Sequence, residues 1–158
     1  MTDRRVEHDT FSIGKDYSFA PATVFAAWAD PAAKRHWFAG TEGFDGIEYA
    51  LDFRVGGEER CAGNHPGGQR FTYDAVIHDI VADERIVLAY RMTMDGTPIS
   101  VSLATITFEP AGEGTRLTYT EQAAFLDGLD NAGPRRMGVA AQLDTLARQL
   151  AGETETIQ

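Results

Sequence analysis

The side chains that could bind a metal ion are scattered along the chain. Cys61 and His65 are four residues apart, but the sequence around His65 (HPGG) is typical of a turn. His8, His36 and His78 fall on different predicted elements, and none has a second histidine or a cysteine at the spacing of a ligand pair. We therefore predict no metal site, and no motif implies a cofactor.

Nucleophilic catalysis also lacks a recognisable motif. The sequence contains no GxSxG, HExxH, phosphate-binding loop or GxGxxG pattern, and its glycine pairs fall at predicted turns between strands. Cys61 lies in a charged stretch (EERCAG) in which no base is evident. The motifs consequently assign no catalytic residue.

One carboxylate occupies an unusual position. Glu121 alternates with Leu117, Tyr119 and Ala123 on the more apolar face of a predicted strand. If that face points inward, the carboxylate lies in or at the rim of a cavity, where an ionisable group must be compensated and is often functional. The alternatives are an ion pair with an arginine or a position in solvent beyond the edge of the sheet. The arginines considered for such a pair are Arg54, Arg91 and Arg136.

Aromatic and thioether side chains form the other candidate site. Methionine adapts to irregular apolar ligands, and tyrosine offers an apolar ring with a polar tip. Each of these residues alone is more typical of a core, but together they fall on elements that would border a cavity. The predicted ligand-binding residues are Trp37, Phe53, Tyr73, Tyr90, Met92, Met94, Glu121, Phe125 and Met137.

The elements that must position these residues begin with a strand and two short helices. Apolar residues alternate between 10 and 19, which predicts a half-buried strand. Pro21 suits the first position of a helix, and Asp30 followed by Pro31 repeats a helix start signal, with Asp30 as the N-cap. Two helices joined almost without a loop should therefore follow the first strand.

The middle of the chain predicts successive strands separated by short turns. Between 71 and 81, apolar residues occur at both odd and even positions, so the sequence does not show which face of that strand points inward. Short connections of this kind favour an antiparallel meander over parallel crossovers. The strands are predicted near 47–53, 58–62, 71–81, 86–94, 100–109 and 115–123.

The final element is a long amphipathic helix over residues 134–151, with apolar residues every three or four positions from Val139 to Leu150. The segment 121–133 would connect it to the last strand, either as a lid over a cavity mouth or as an ordinary connection. The order of elements predicts an α+β fold, in which the long helix lies across a curved antiparallel sheet of six to seven strands. The gap between that sheet and helix is a natural cavity.

The length and net charge of the chain exclude several classes of protein. The chain has 158 residues, 43% of them apolar, and a net charge of −10. We expect a single domain over 1–158 with an ordered core of about 10–151. The acidic excess argues against a nucleic-acid partner, and no apolar run approaches the roughly 20 residues that span a bilayer. The single cysteine cannot form an internal disulfide, which fits a cytoplasmic protein without membrane insertion.

Five segments resemble a known superfamily. They are FAPATVFAAWADPAAKRHWF (19–38), DFRVGGE (52–58), YDAVIHDIVADERIVLAY (73–90), TFEPAGEGTRLTYTEQAAFLDG (107–128) and GVAAQLDTLARQLA (138–151). They resemble the SRPBCC, or START-like, superfamily, in particular the branch named after activators of the heat shock protein 90 ATPase and also called polyketide-cyclase-like. The resemblance implies a helix-grip fold, in which seven strands grip the last helix above a hydrophobic cavity. Many relatives bind lipids, polyketides or other apolar molecules, and relatives often pair as homodimers.

Three functions follow from this combination of motifs and resemblance. The first is binding of a small hydrophobic or amphipathic molecule, apolar or aromatic, without covalent chemistry. The second is a cyclase- or dehydratase-like enzyme, in which Glu121, Tyr90 or His78 moves protons in the same cavity. The third is a protein-interaction domain; co-chaperones of this branch carry a separate N-terminal domain, whereas about nine polar residues precede the first predicted strand. The lack of a catalytic motif favours binding, and a basic patch at 34–36 would attract an acidic ligand.

Overall fold

The computed structural model describes residues 4–39 and 43–152 as one antiparallel sheet with helices packed on it. The sheet has the strand order β1-β7-β6-β5-β4-β3-β2, so the first strand pairs with the last and the remaining neighbours follow the chain. The predicted α+β helix-grip architecture is confirmed. The elements are β1 (Val6–Tyr17), α1 (Pro21–Ala29), α2 (Pro31–Lys34), a π-helical turn here called the π-turn (Arg35–Ala39), β2 (Asp45–Leu51), β3 (Glu58–Asn64), β4 (Arg70–Val81), β5 (Arg85–Met94), β6 (Thr97–Ala111), β7 (Gly114–Leu126) and α3 (Ala132–Leu150).

The two short helices form where their start signals predicted them. Pro21 occupies the first turn of α1, and the Asp30 carboxylate accepts a hydrogen bond from the Ala33 backbone N–H at 3.2 Å, which caps α2. Phe25 and Trp28 are buried on the inner face of α1. Because Asp30 is at once the end of one helix and the cap of the next, the two helices are joined without a loop.

A bulge explains why the inward face of β4 could not be assigned from its sequence. The pairing register with β5 shifts between Ile77 and Asp79, so His78 is the additional residue. Tyr73 and Ile77 are buried before the bulge, and Ile80 packs against the core after it. The inward parity therefore changes within one strand, which leaves apolar residues on both parities of the sequence.

Strand β7 runs further than the sequence suggested. Residues 121–125 pair with β1 on one side and β6 on the other, and Leu126 pairs with β1, so the prediction of a connection over 121–133 is wrong. The true connection is a short turn, held by Asp127, whose carboxylate accepts a hydrogen bond from the Arg5 backbone N–H at 3.0 Å. This turn is anchored to the start of β1, and no residue of it lines the cavity described below.

Helix α3 lies across the sheet and packs against β1 and the π-turn. It begins two residues earlier than predicted, because the Asn131 side chain accepts a hydrogen bond from the Gly133 backbone N–H at 3.1 Å. Val139, Leu143 and Leu146 form its buried stripe, as their spacing predicted. No helix within the two described ranges is long and apolar enough to cross a membrane.

Candidate functional site

A cavity of about 690 Å³ lies between α3, the π-turn and the inner face of the sheet. Strands β3 to β7 each contribute to its floor, since inward residues of an antiparallel sheet share one face. Its lining is mostly apolar and aromatic, a composition typical of sites for small molecules. The predicted site residues that line it are Trp37, Tyr73, Tyr90 and Met92.

Glu121 belongs to a buried polar cluster beside this cavity. It is fully buried on the inner face of the sheet, the orientation that the sequence left open. Its Oε2 accepts hydrogen bonds from Tyr90 Oη at 2.7 Å, Ser102 Oγ at 2.6 Å and Arg135 Nη1 at 2.9 Å, and its Oε1 accepts one from Tyr119 Oη at 2.7 Å. Tyr90, Tyr119 and Arg135 line the cavity, whereas Glu121 itself does not. The carboxylate therefore supports the wall from behind.

Arg135 holds this cluster together from the first turn of α3. Its Nη1 also donates to Tyr90 Oη at 2.9 Å, and its Nη2 donates to Ser100 Oγ at 2.8 Å and to Asp130 at 2.6 Å. Burial by itself lowers the pKa of Arg135, but Tyr90, Glu121 and Asp130 outweigh it and raise that pKa above its usual range. The guanidinium is thus a permanent buried cation between two carboxylates.

The phenols at the floor of the cavity stay protonated. Burial raises the pKa of Tyr73 and Tyr119 well above 10.0, and the nearby carboxylates Glu59 and Glu121 raise these pKa values further. Burial also raises the pKa of Tyr90, although Arg135 acts in the opposite direction. All three hydroxyl groups therefore serve as hydrogen-bond donors at any physiological pH.

A second buried ion pair joins α2 to β3. The Lys34 ammonium lies 2.8 Å from Glu59 Oε2, and both side chains are almost completely buried, at 3% and 1% exposure. Glu59 also accepts hydrogen bonds from Tyr49 Oη at 2.5 Å and from Tyr73 Oη at 3.3 Å. Burial, with Glu59 as the next cause, raises the pKa of Tyr49 far above its usual value. The pair is thus neutralised and hydrogen-bonded, as a stable buried ion pair must be.

Aromatic rings surround the Lys34 ammonium. Its Nζ lies 4.4 Å from the ring centre of Phe38, 4.8 Å from that of Trp28 and 5.7 Å from that of Trp37. A cation over aromatic faces is stabilised by their electron density, most strongly where water is excluded. This cage compensates the Lys34 charge together with Glu59.

The two clusters meet at the floor of the cavity. Tyr73, which donates to Glu59, and Tyr90, which donates to Glu121, have ring centres 4.6 Å apart. One ordered layer of rings therefore connects Lys34 of α2 with Arg135 of α3. A rigid lining of this kind is preorganised, so a ligand would order few side chains on binding.

Cys61 lines the cavity as a protonated thiol. Burial, with Glu59 as the next cause, raises its pKa to about 11. A thiol in that state is a poor nucleophile at neutral pH, because the thiolate is the reactive form. Cys61 contributes apolar surface to the site.

The remaining predicted site residues lie elsewhere. Phe53 packs edge-on against Phe25, with ring centres 5.8 Å apart, and Phe125 is buried under the Arg135 guanidinium. Met94 ends β5, outside the cavity lining, and Met137 is 73% exposed on the outer face of α3. These residues do not contact the cavity because their positions face the core, the sheet end or solvent.

His78 and the predicted basic patch are also placed by the structure. His78 occupies the β4 bulge with an exposed side chain and does not line the cavity. It is therefore separate from the other two residues considered for proton transfer, Tyr90 and Glu121, which are joined by a hydrogen bond. The patch at 34–36 is not a surface feature as a whole, because Lys34 is buried in its ion pair.

Sequence reasoning missed Glu59 and Arg135, and it assigned Lys34 to a basic patch instead of a buried ion pair. Glu59 shares its parity on β3 with the buried Cys61, which was the available signal for an inward carboxylate. Lys34 stands close to Trp37 and Phe38, whose rings could have indicated an aromatic cage. An arginine partner for Glu121 was among the alternatives, but the partner is Arg135, which was not one of the arginines considered.

Comparison with known proteins places this geometry in context. A family model described as Activator of Hsp90 ATPase homolog 1-like protein matches residues 18–155. The chain is similar to the solved structure of an uncharacterized protein from Rhizobium leguminosarum, with 42% identity over 96% of this chain and 100% of that chain, and a TM-score of 0.92. It is also similar to Mll3558 from Rhizobium loti, with 46% identity over 92% and 99% of the two chains and a TM-score of 0.85.

A more distant structure shares the fold alone. CV1439 from Chromobacterium violaceum is 24% identical over 92% of this chain and 98% of that chain, with a TM-score of 0.75. No curated protein matches the chain. The solved relatives therefore support the architecture, and the site must be interpreted from its own residues.

Proposed function

The chain belongs to the Activator of Hsp90 ATPase homolog 1-like family, and we propose that it binds one small hydrophobic or amphipathic molecule in the cavity between the sheet and α3. Proteins of this fold commonly bind hydrophobic ligands. The observation that carries the proposal is the aromatic cavity of about 690 Å³, which has the size of a site for a small organic molecule.

The polar groups around the cavity favour binding over proton-transfer chemistry. Glu121 accepts four hydrogen bonds and does not line the cavity, so it has no direct access to a ligand atom. Glu59 is likewise occupied by Lys34 and two phenols. A general base must reach the proton that it removes, and neither carboxylate meets this condition in the geometry described.

Titration with N-phenyl-1-naphthylamine tests this function. This neutral fluorophore emits more strongly in apolar surroundings, and we expect a saturable increase with one probe bound per chain. Gly138 offers the critical variant, because it lines the cavity and an added Cβ there would meet no atom within 4 Å. The Gly138→Leu side chain should occupy cavity space and weaken probe binding by about tenfold or more.

Two further variants control for effects on the helix. Gly138→Ala adds one methyl group and should weaken binding less than Gly138→Leu does. Met137→Leu changes the adjacent residue, which is exposed outside the cavity, and should bind the probe like the parent chain. Equal affinity for Gly138→Leu and the parent, or no saturable binding by the parent, would contradict the proposal.

A further inference from the structure

The side chains around the cavity have an unusual balance of charge. The chain has 24 acidic and 14 basic residues, yet no aspartate or glutamate of residues 4–39 and 43–152 lines the cavity. Such a lining does not repel an anionic ligand at close range, although the chain as a whole is acidic. The basic residues and histidines of the lining are Lys34, His36, His65, Arg135 and Arg148.

Arg148 differs from the other two cations of the lining. Lys34 forms its ion pair with Glu59, and both side chains are buried. Arg135 forms its own with Glu121. Arg148 is exposed, and it takes part in none of the ion pairs within the described ranges 4–39 and 43–152. It is therefore the cation of the lining whose charge is available to a ligand.

The Arg148 guanidinium is held at the rim of the cavity by its neighbours on α3. Its Nη2 donates to Thr145 Oγ1 at 3.2 Å, and Thr145 Oγ1 in turn donates to the Ala141 carbonyl oxygen at 3.0 Å. Asp144 pairs with Lys15 instead, at 2.5 Å, and does not line the cavity. The other N–H groups of the guanidinium have no partner among the described residues, and a carboxylate can accept from two of them at once.

A stripe of α3 connects this guanidinium with the open part of the cavity. An added Cβ at Gly138 would meet no atom within 4 Å, so there is space beside this residue. Thr145, which holds the guanidinium, lies about 10 Å further along the helix, at roughly 1.5 Å per residue. The stripe consists of cavity-lining residues at spacings of three and four: Gly138, Ala141, Thr145 and Arg148.

A charged group is acceptable at this rim but not at the floor of the cavity. Tyr73 donates its hydroxyl proton to Glu59. Tyr90 donates its own to Glu121, so neither phenol has a proton left for an anion. Transfer of an ion into such an interior is strongly unfavourable. At the rim, a carboxylate keeps part of its hydration and faces the exposed Arg148.

We propose that the ligand is an amphipathic acid, whose carboxylate pairs with Arg148 at the rim while its apolar part enters the cavity beside Gly138. The apolar part is about 10 Å long or longer, since it must reach from the guanidinium to that opening. The inference rests on the proposed function and specifies the ligand class of the same site.

Three decyl compounds test the sign of the ligand charge: decanoate, 1-decanol and decylammonium, which share one chain and differ in charge. Each competes with N-phenyl-1-naphthylamine for the cavity, and the fall in fluorescence gives its affinity. Decanoate should bind about threefold or more tightly than 1-decanol, the scale of an exposed ion pair, and decylammonium should bind more weakly than 1-decanol. Added salt should reduce these differences.

Reversal of the charge at residue 148 should invert the preference. In Arg148→Glu, decylammonium should bind more tightly than decanoate, whereas the affinity for 1-decanol should change little. Arg91→Glu is the matched control, because Arg91 is exposed on the outer face of β5 and the net charge changes by the same amount. It should keep the preference for decanoate, and Arg148→Lys, which retains the cation, should keep part of it.

The ionisation of the bound acid reports the ion pair independently. Decanoate labelled with ¹³C at the carboxyl carbon has a chemical shift that follows its protonation, so the pKa of the bound acid can be measured. A nearby cation lowers the pKa of a carboxyl group, whereas burial raises it. This pKa should be lower in the complex with the parent than in the complex with Arg148→Gln, and Arg91→Gln should match the parent.

The outcomes separate this inference from the proposed function. If the fluorophore binds but the parent does not prefer decanoate over 1-decanol and decylammonium, the inference is overturned and the binding function stands. It is also overturned if the preference survives Arg148→Glu, the result expected if Arg148 only stabilises the negative end of the α3 dipole, or if Arg91→Glu abolishes it equally. If neither the fluorophore nor any decyl compound binds, the proposed function fails together with the inference.

Discussion

Arg135 and Glu121 show how single residues keep charge inside this protein. Neither side chain is acceptable there alone, because transfer of an isolated charge from water to the interior is strongly unfavourable. Together with Asp130 and the hydroxyl groups of Tyr90 and Ser102, the two charges form a satisfied network. The network fixes the first turn of α3 against β5, β6 and β7, so it positions the helix above the cavity.

This network predicts strong coupling between the two residues. Glu121→Leu and Arg135→Met should each lower the free energy of unfolding by about 3–5 kcal/mol, because each leaves a buried charge without its partner. The double variant should be more stable than the sum of the two losses implies, by about 2 kcal/mol. Urea denaturation of the four proteins measures this coupling, and additive losses would show that the two charges act independently.

Tight turns determine the geometry of the elements around the site. Gly57 follows β2, and its backbone carbonyl accepts from Ile77 N–H at 3.0 Å, which joins this turn to β4. A Cβ at Gly57 would lie 2.0 Å from the Asp52 carbonyl oxygen, so no other residue fits. The pair Gly56-Gly57 thus marks a close approach of two backbone segments as well as a turn.

Substitution of this glycine should be much more harmful than substitution of a glycine in an open turn. Gly57→Ala forces backbone atoms apart and should destabilise the protein by about 3 kcal/mol or more. Gly67→Ala is the matched control, because a Cβ there would meet no atom within 4 Å and its backbone is not left-handed. It should be neutral or slightly stabilising in thermal unfolding. Similar losses for both variants would contradict the steric explanation.

The elements were more predictable than the site because they depend on local patterns. Alternation and the signals at Pro21 and Asp30 specify strands and helices from neighbouring residues. The ion pairs join Lys34 to Glu59 and Glu121 to Arg135, and strand register and helix placement bring these partners together. Alternation placed Glu121 on the more apolar face of its strand, but the sequence contains no signal that selects Arg135 as its partner over the neighbouring Arg136. The inward face of β4 could not be assigned either, because its bulge arises in the pairing with β5 and not from a local pattern.

At the scale of the whole molecule, the buried phenols and the buried thiol link stability to alkaline pH. Burial raises the pKa of Tyr73 and Tyr119 well above 10.0, and the pKa of Cys61 from 9.0 to about 11. Each group is neutral when protonated, and the folded chain holds these protons more tightly than the unfolded chain. The stabilisation is therefore complete at pH values below the pKa values of these groups in the unfolded chain. It is lost as the pH rises through their pKa values in the folded chain.

Unfolding experiments should show this loss on the alkaline side. The urea midpoint should fall between about pH 8.5 and about pH 11, where the unfolded chain ionises first. Tyr73→Phe removes one of the phenols, so its stability should fall less steeply with pH than that of the parent, although the variant starts from a different midpoint. A midpoint that stays constant across this range would contradict the account.

The location of a bound apolar molecule tests the central claim most directly. Isotope-filtered nuclear Overhauser spectroscopy of the protein with N-phenyl-1-naphthylamine measures which side chains lie next to the probe. The account predicts contacts from the probe to the Met92 methyl group and the Tyr73 ring, which line the cavity. Contacts instead to Val101 and Leu103, which are exposed on the opposite face of β6, would contradict it.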